Sequence, residues 1–333
     1  MNNSDKNQIW DLFTSDKKSF CVISHTNPDG DAMGSALAMK LLLKKLGHEA
    51  EVLVPNIYPD YYAWLKDADK IIIGDEQRDK AVDCIEEADI LLFMDLNKVR
   101  RVEGLDEFLL ASDAPKILFD HHVGPDEVFK LQFARTDVSS TCELVYEFIS
   151  EFDKSLLDKD IADCLYTGIV TDTGNYFHGN ITAGTFRITA DLIDLGIDVL
   201  EINQKVYNTF SESRIRMLGH SLINRMEVLH DKETVVMYLT KDDLKKFNDQ
   251  EGDTEGIVNY GLTIKGIKIS ALFIERAQYI KISFRSEGDV NVNQIAVNYY
   301  DGGGHKNASG AYFYGSIEDA ILRFKQALNE IEL

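Results

Sequence analysis

Five short, unbroken apolar runs crowd the first 120 residues: SFCVIS (19–24), AEVLVP (50–55), KIIIG (70–74), DILLFMD (89–95) and KILFD (116–120). Such runs lack the polar alternation of a half-exposed strand. They suit a parallel sheet covered on both faces. Helical stretches separate them; DAMGSALAMKLLLKKLG (31–47) carries apolar residues at helical spacing and stops on Gly47. The pattern predicts an α/β fold whose N-terminal domain is a parallel sheet flanked by helices. From 139 to 229 the chain reads mostly helical, over 140–152, 160–174, 185–196 and 212–229. Beyond His230, strand-like runs return at 233–240, 267–275, 279–286 and 310–315, with helices expected at 293–300 and 318–331. These read as a smaller C-terminal α/β domain with a mixed sheet. The expected division is a first domain over 1–210, a connecting helix over 211–230 and a second domain over 231–333.

A chain of 333 residues favours about two domains. The net charge of −21 bears on function. So acidic a surface repels polyanions at long range, which excludes extended duplex nucleic acid as an expected partner. Short anions can still be held where metals or a local basic pocket screen the field. Cys21, Cys84, Cys142 and Cys164 are far apart with no C-x-x-C pair, so reduced, buried thiols are expected rather than a zinc knuckle or a disulfide framework. A polar N-terminal stretch and the lack of any apolar run approaching a membrane span predict a cytoplasmic protein with no membrane partner.

The polar residues that end the apolar runs are the chemically loaded ones. His25, Asp29 and Asp31 follow the first run, Asp95 ends the fourth, and Asp120, His121 and His122 end the fifth. In an open parallel sheet, functional groups gather beyond the carboxyl ends of the strands. Singly, each has an ordinary explanation: an Asp-Gly turn, a helix cap, or surface histidines. Together they predict several carboxylates repelling one another in one partly desolvated place, which divalent cations relieve. Oxygen and imidazole donors without thiolate favour Mn2+ or Mg2+ over a structural zinc. Asp172 sits late in the helical run LYTGIVTDTG (165–174), where capping a turn and joining the same site are equally open readings.

The segments SHTNPDGDAMGS (24–35), MDLN (94–97), DHH (120–122) and TGIVTDTG (167–174) resemble, in order, the four motifs of the DHH phosphoesterase superfamily. FRS (284–286) and GGGHKNASG (302–310) resemble its associated C-terminal substrate-binding domain. The resemblance spans residues 18–315 and is nearest to the nanoRNase (oligoribonuclease)/pAp phosphatase branch. It implies two divalent ions, Mn2+ first, with Mg2+ or Co2+ as alternatives. Carried over by motif position, His25, Asp29 and Asp95 hold one ion, and Asp31, Asp95, His121 and Asp172 hold the other. Asp95 would bridge, Asp120 would orient ligands, and His122 would meet the phosphate or donate to the leaving oxygen. Two such ions can deprotonate a shared water and neutralise phosphate oxygens, so no covalent nucleophile is required.

The glycine run could be a plain connection, but it leads straight into the donors His305, Lys306 and Asn307. Glycines let backbone N–H groups approach phosphate closely, and the fork of Arg285 suits a terminal phosphate. The resemblance implies that Arg285, Ser286, Gly303, Gly304 and His305 recognise substrate across an interdomain cleft. Asp301 stands where many relatives carry another glycine. The implied activity is hydrolysis of nanoRNA to nucleoside 5′-monophosphates and of 3′-phosphoadenosine 5′-phosphate (pAp) to AMP, with short oligonucleotides and pAp as the partners. A linear or cyclic dinucleotide phosphodiesterase and an exopolyphosphatase stay open within the same chemistry, as does a homodimer. A non-catalytic nucleotide sensor would predict a broken ligand set, and none of the six ligand positions is broken. A nucleotide-cofactor oxidoreductase lacks its G-x-G-x-x-G signature here.

Overall fold

The computed structural model describes residues 3–177, 179–208, 210–250 and 252–330. The chain divides into two units, Met1–Thr209 and Phe210–Leu333. In the first, the apolar runs form strands β1 (Ser19–Ile23), β2 (Glu49–Val54), β3 (Ile72–Ile73), β4 (Ile90–Met94) and β5 (Lys116–Asp120), joined by β6 (Leu131–Ala134). All pair in parallel, in the order β3-β2-β1-β4-β5-β6. Successive strand residues feed opposite faces. Phe20 and Val22 enter one apolar cluster while Cys21 and Ile23 enter another, and Leu92 and Leu91 divide the same way on β4. That is why these strands are apolar throughout. The expected fold class is the one observed.

The helices of this unit are α1 (Asn3–Phe13), α2 (Gly30–Lys45), α3 (Arg78–Glu86), α4 (Asp106–Ala111), α5 (Thr141–Asp153), α6 (Lys159–Asp172), α7 (Ala183–Asp194) and α8 (Val199–Tyr207). Helices α2 and α6 approach through glycine. A Cβ at Gly34 would lie 2.4 Å from the Cys164 carbonyl oxygen, and one at Gly168 would lie 2.7 Å from Asp31 Oδ1. The close approach brings the start of α2 against α6. Strand order reverses between β1 and β4, the place in a doubly wound sheet where a crevice opens beyond the strand ends.

The second unit holds α9 (Glu212–Asn224), β7 (Met226–Leu229), β8 (Thr234–Leu239), α10 (Lys241–Lys246), α11 (Asn259–Leu262), β9 (Ile269–Glu275), β10 (Ile280–Ser286), α12 (Val292–Tyr299), β11 (Asp301–Gly304), β12 (Ala308–Phe313) and α13 (Ile317–Ala327). Its sheet runs β11-β12-β10-β9-β8-β7 and is mixed, with β8 and β9 parallel and the other pairs antiparallel. Two differences from the sequence reading stand out. The helix expected over 211–230 ends at Asn224, and residues Met226–Leu229 pair with β8 as an edge strand. Arg225 marks the stop, its guanidinium held by both Asp243 oxygens at 2.8 and 3.1 Å. The glycine run is no loose connection either. It is edge strand β11, paired antiparallel to β12 with Gly303 opposite Gly310. Residue 331, the last expected in the C-terminal helix, lies outside the described residues. Among the described residues no helix is long and apolar enough to cross a membrane.

Candidate metal centre

Asp95 follows β4 with φ of 60°, a left-handed conformation that aspartate tolerates better than most residues. Its N–H donates to the Phe119 carbonyl at 2.9 Å, so the turn is locked to β5. The buried carboxylate then faces two ways. Oδ2 lies 3.6 Å from His25 Nε2, and Oδ1 lies 3.5 Å from His121 Nε2. His121 Nε2 is also 3.5 Å from Asp172 Oδ2 and 3.8 Å from Asp31 Oδ2, while His25 Nε2 is 4.0 Å from Asp29 Oδ2. Most of these spacings exceed a good hydrogen bond. They match donors sharing an ion at about 2.0–2.2 Å each.

Each ligand candidate is held by local structure. Asp29 caps α2: its Oδ1 accepts the N–H groups of Asp31 and Ala32, both at 3.0 Å, which leaves Oδ2 for the cluster. His25 donates from Nδ1 to the Thr26 carbonyl at 2.9 Å. That contact fixes the tautomer and turns the Nε2 lone pair toward the carboxylates. Asp31 accepts the N–H groups of Thr141 (2.6 Å) and Cys142 (2.8 Å) at the start of α5. Asp172 is the last residue of α6, and through its Oδ2 it joins the group around His121. Asp120 is fully buried; its Oδ1 accepts from His122 Nδ1 at 2.7 Å, and its Oδ2 has no hydrogen-bond partner.

The electrostatics are those of a site short of positive charge. Burial raises Asp31 well above the carboxylate range, and Asp95, Asp172 and Asp29 push it further. Burial acts the same way on Asp95, but the imidazoles of His25, His122 and His121 outweigh it and hold that carboxyl far below its ordinary value. Burial would lower His121, yet Asp172, Asp95, Asp120 and Asp29 raise it overall. Asp31 and His121 are thus both driven to take up protons, the nearest substitute for cations. Four carboxylates (Asp29, Asp31, Asp95, Asp172) balance two divalent ions in charge, and two neutral imidazoles complete a thiolate-free donor set. The residues fit the ions that the resemblance implies.

Two further residues belong to the site and carried no sequence signal. Thr141 Oγ1 donates to Asp95 Oδ1 at 2.9 Å. Arg101 Nη1 lies 3.4 Å from His122 Nε2, and its carbonyl accepts the Thr26 N–H at 2.8 Å. Burial lowers His122; Asp120 opposes this and Arg101 adds to it.

In the second unit the expected recognition residues gather at one end of the sheet. Arg285 lies opposite Ala308 across the β10–β12 pair, and His305 and Ala308 exchange backbone bonds that close the hairpin after β11. Ser286 Oγ donates to the Val290 carbonyl at 2.7 Å. Two of the donors expected to meet an anion are already engaged. Asn307 Nδ2 donates to Ser286 Oγ, Gly288 O and Val290 O, and Lys306 pairs with Asp289 at 2.9 Å.

Comparison with known proteins agrees in sequence and fold. Residues 19–169 match the model of the DHH family N-terminal domain, and residues 231–331 match that of the DHHA1 domain. The bifunctional oligoribonuclease and PAP phosphatase NrnA of Bacillus subtilis is 27% identical over 301 residues, covering 90% of each chain. The crystal structure of an exopolyphosphatase-related protein from Bacteroides fragilis superposes with a TM-score of 0.91 at 36% identity, over 98% of this chain and 96% of that one. RecJ from Thermus thermophilus, solved with Mn2+, shares the fold at a TM-score of 0.55 and 12% identity, over 99% of this chain and 55% of that one. With both domain models matched in order and one solved relative superposing end to end, the chain belongs to the DHH family of phosphoesterases, in its DHH–DHHA1 form.

Proposed function

We propose that the protein hydrolyses oligonucleotides of about two to five residues to nucleoside 5′-monophosphates and dephosphorylates pAp to AMP, a size class that suits its net charge of −21. The reading rests on one observation above all: two imidazoles and three further carboxylates gather around buried Asp95. His25, Asp29 and Asp95 are assigned to one divalent ion, and Asp31, Asp95, His121 and Asp172 to a second. Bound divalent ions supply Lewis acidity that activates water and neutralises phosphate oxygens. The chain's own groups do the rest. Asp29 and Asp31 spend backbone contacts to stay fixed, and Asp120 orients His122. The Nε2 of His122 is then placed to exchange a proton with the leaving oxygen, beside the guanidinium of Arg101. Arg285, Ser286, Gly303, Gly304 and His305 are assigned to recognition of the phosphate or nucleotide end. The likeness to NrnA supports this substrate class, and the four free cysteines suit a reducing cytoplasm.

The 36% identity to an exopolyphosphatase-related protein favours a second reading, release of phosphate from polyphosphate. One panel separates the two. The chelator-stripped protein, reloaded with Mn2+ or Mg2+, is assayed on pAp, a linear dinucleotide, a cyclic dinucleotide, pyrophosphate and polyphosphate. The proposal expects inactivity when stripped and the highest kcat/KM on the dinucleotide and pAp after Mn2+. A preference for polyphosphate moves the assignment to the second reading. Activity that survives stripping sinks both.

A further inference from the structure

Immediately beyond Asp172 the chain turns left-handed. Gly174, Asn175 and Tyr176 have successive φ values of 54°, 58° and 62°. Glycine adopts this region freely and asparagine tolerates it, but for tyrosine it is strained. Strain of this kind persists only where the surroundings over-determine the conformation. Here they do. The Asn175 N–H donates to the Val170 carbonyl at 2.7 Å, Tyr176 N–H to Thr173 Oγ1 at 3.1 Å, and Phe177 N–H to the Thr173 carbonyl at 2.9 Å. The Tyr176 hydroxyl hydrogen-bonds Thr189 Oγ1 at 2.7 Å, and its ring stacks on Phe186 with centroids 5.2 Å apart and planes 23° from parallel.

This anchoring displays Phe177. Phe177 is 83% exposed, more than any other large hydrophobic residue among the described residues, and Phe186 is 53% exposed. Single exposed apolar residues are ordinary and need no explanation. This case differs in three respects: a second exposed ring stacks on Phe177's chain neighbour, three hydrogen bonds from backbone N–H groups hold the turn, and Phe177 lies five residues from Asp172. The segment also folds back onto the end of α6, since a Cβ at Gly179 would lie 3.8 Å from the Asp172 carbonyl oxygen. A ligand suited to this place has a flat, π-faced ring on the same small body as an anionic group held at the carboxylate–imidazole centre. A nucleotide is such a ligand. The segment lies outside both matched domain models, which end at residue 169 and begin at 231.

We propose that Phe177 and Phe186 form a stacking platform for one nucleobase of the substrate, next to the centre that handles its phosphate. The inference rests on the oligonucleotide reading above. Stacking is indifferent to base identity, so the platform gives affinity without sequence preference. The test compares the Mn2+-loaded wild type, Phe177→Ala and Phe177→Trp on a dinucleotide and on its counterpart lacking one base. Phe177→Ala is expected to raise KM for the dinucleotide by about 5- to 100-fold, with a much smaller change on the abasic substrate, and Phe177→Trp is expected to restore binding. Equal losses on both substrates, or no loss on either, overturn the platform. If the wild type cleaves no dinucleotide, the oligonucleotide reading fails on its own account. Equilibrium titration with AMP then decides: identical Kd for wild type and Phe177→Ala overturns the platform, and weaker binding by the variant upholds it. Sedimentation accompanies both arms, because a change of oligomeric state in Phe177→Ala would assign the ring to a second copy of the chain.

Discussion

Asp95 is the residue on which most of the centre depends, and its position was legible because it ends a strand at the edge where functional groups collect. What sequence could not show is how it is held. Thr141 is 46 positions away, and Arg101 reads as one of two adjacent surface arginines; only the packing of β4, β5 and α5 brings them in. Two substitutions separate ligand from support. Asp95→Asn keeps a residue that tolerates φ of 60°, so the fold should survive while one oxygen is lost. Loss of roughly 10³-fold or more in kcat/KM is expected, several kcal/mol of charge stabilisation, with an unchanged far-ultraviolet spectrum. Thr141→Val keeps shape and the backbone N–H to Asp31 but removes the hydroxyl bond to Asp95. Mn2+ affinity by calorimetry should fall about 10- to 100-fold. Wild-type affinity in Thr141→Val would mean that the threonine merely packs.

At the scale of elements, five strands of the first sheet could be read because burial on both faces leaves an unbroken apolar run, whereas edge strand β6, only partly buried and interrupted by Gln132, left no such run. Strands β7 and β11 could not be read either, because their partners rather than their composition define them. In β11, a Cβ at Gly302 would lie 2.4 Å from both Ala311 Cβ and the Gly310 carbonyl oxygen, whereas one at Gly303 would meet nothing within 4 Å. Gly302→Ala should therefore lower the melting temperature and Gly303→Ala should not. If Gly303 is where phosphate approaches backbone, its alanine variant should raise KM at unchanged stability. A wild-type KM would remove Gly303 from the recognition set. A second test concerns the tie between α2 and the turn at Asp67. Lys44 and Lys70 pair with its oxygens at 2.8 and 2.6 Å. Burial would raise this carboxyl, but the two lysines pull it down to about 2. A depressed folded pKa stabilises fully above the unfolded value near 3.9 and is lost as pH falls toward 2. Asp67→Asn should thus cost on the order of 2 kcal/mol at neutral pH. Its stability deficit, by denaturant titration, should close between about pH 4 and pH 2. A deficit constant across that range would show that the ion pairs contribute little.

For the molecule as a whole, charge sets which substrates can approach. With 56 acidic against 35 basic side chains, the chain repels anions at long range, and under the proposed function only ions bound at the centre would offset that repulsion. Proteins that track nucleic acid on a basic surface behave in the opposite way. They release counterions on binding, and their affinity falls steeply with salt. Screening weakens repulsion as much as attraction, and the Debye length shrinks from roughly 20 Å to 7 Å between about 20 and 200 mM monovalent salt. At fixed Mn2+, KM for a dinucleotide should therefore hold steady or fall over that range. A longer oligonucleotide adds charges that meet repulsion without adding contacts at the centre. Its KM should be higher at low salt and should fall more steeply as salt is added. The measurement is kcat/KM for a dinucleotide and a strand of about twenty nucleotides at several salt concentrations. A KM that climbs with salt for the longer strand, with a log–log slope of several units, would reveal a basic track that net charge conceals. The protein would then be a nuclease of long strands, and the proposed restriction to short substrates would fail together with the charge argument for it.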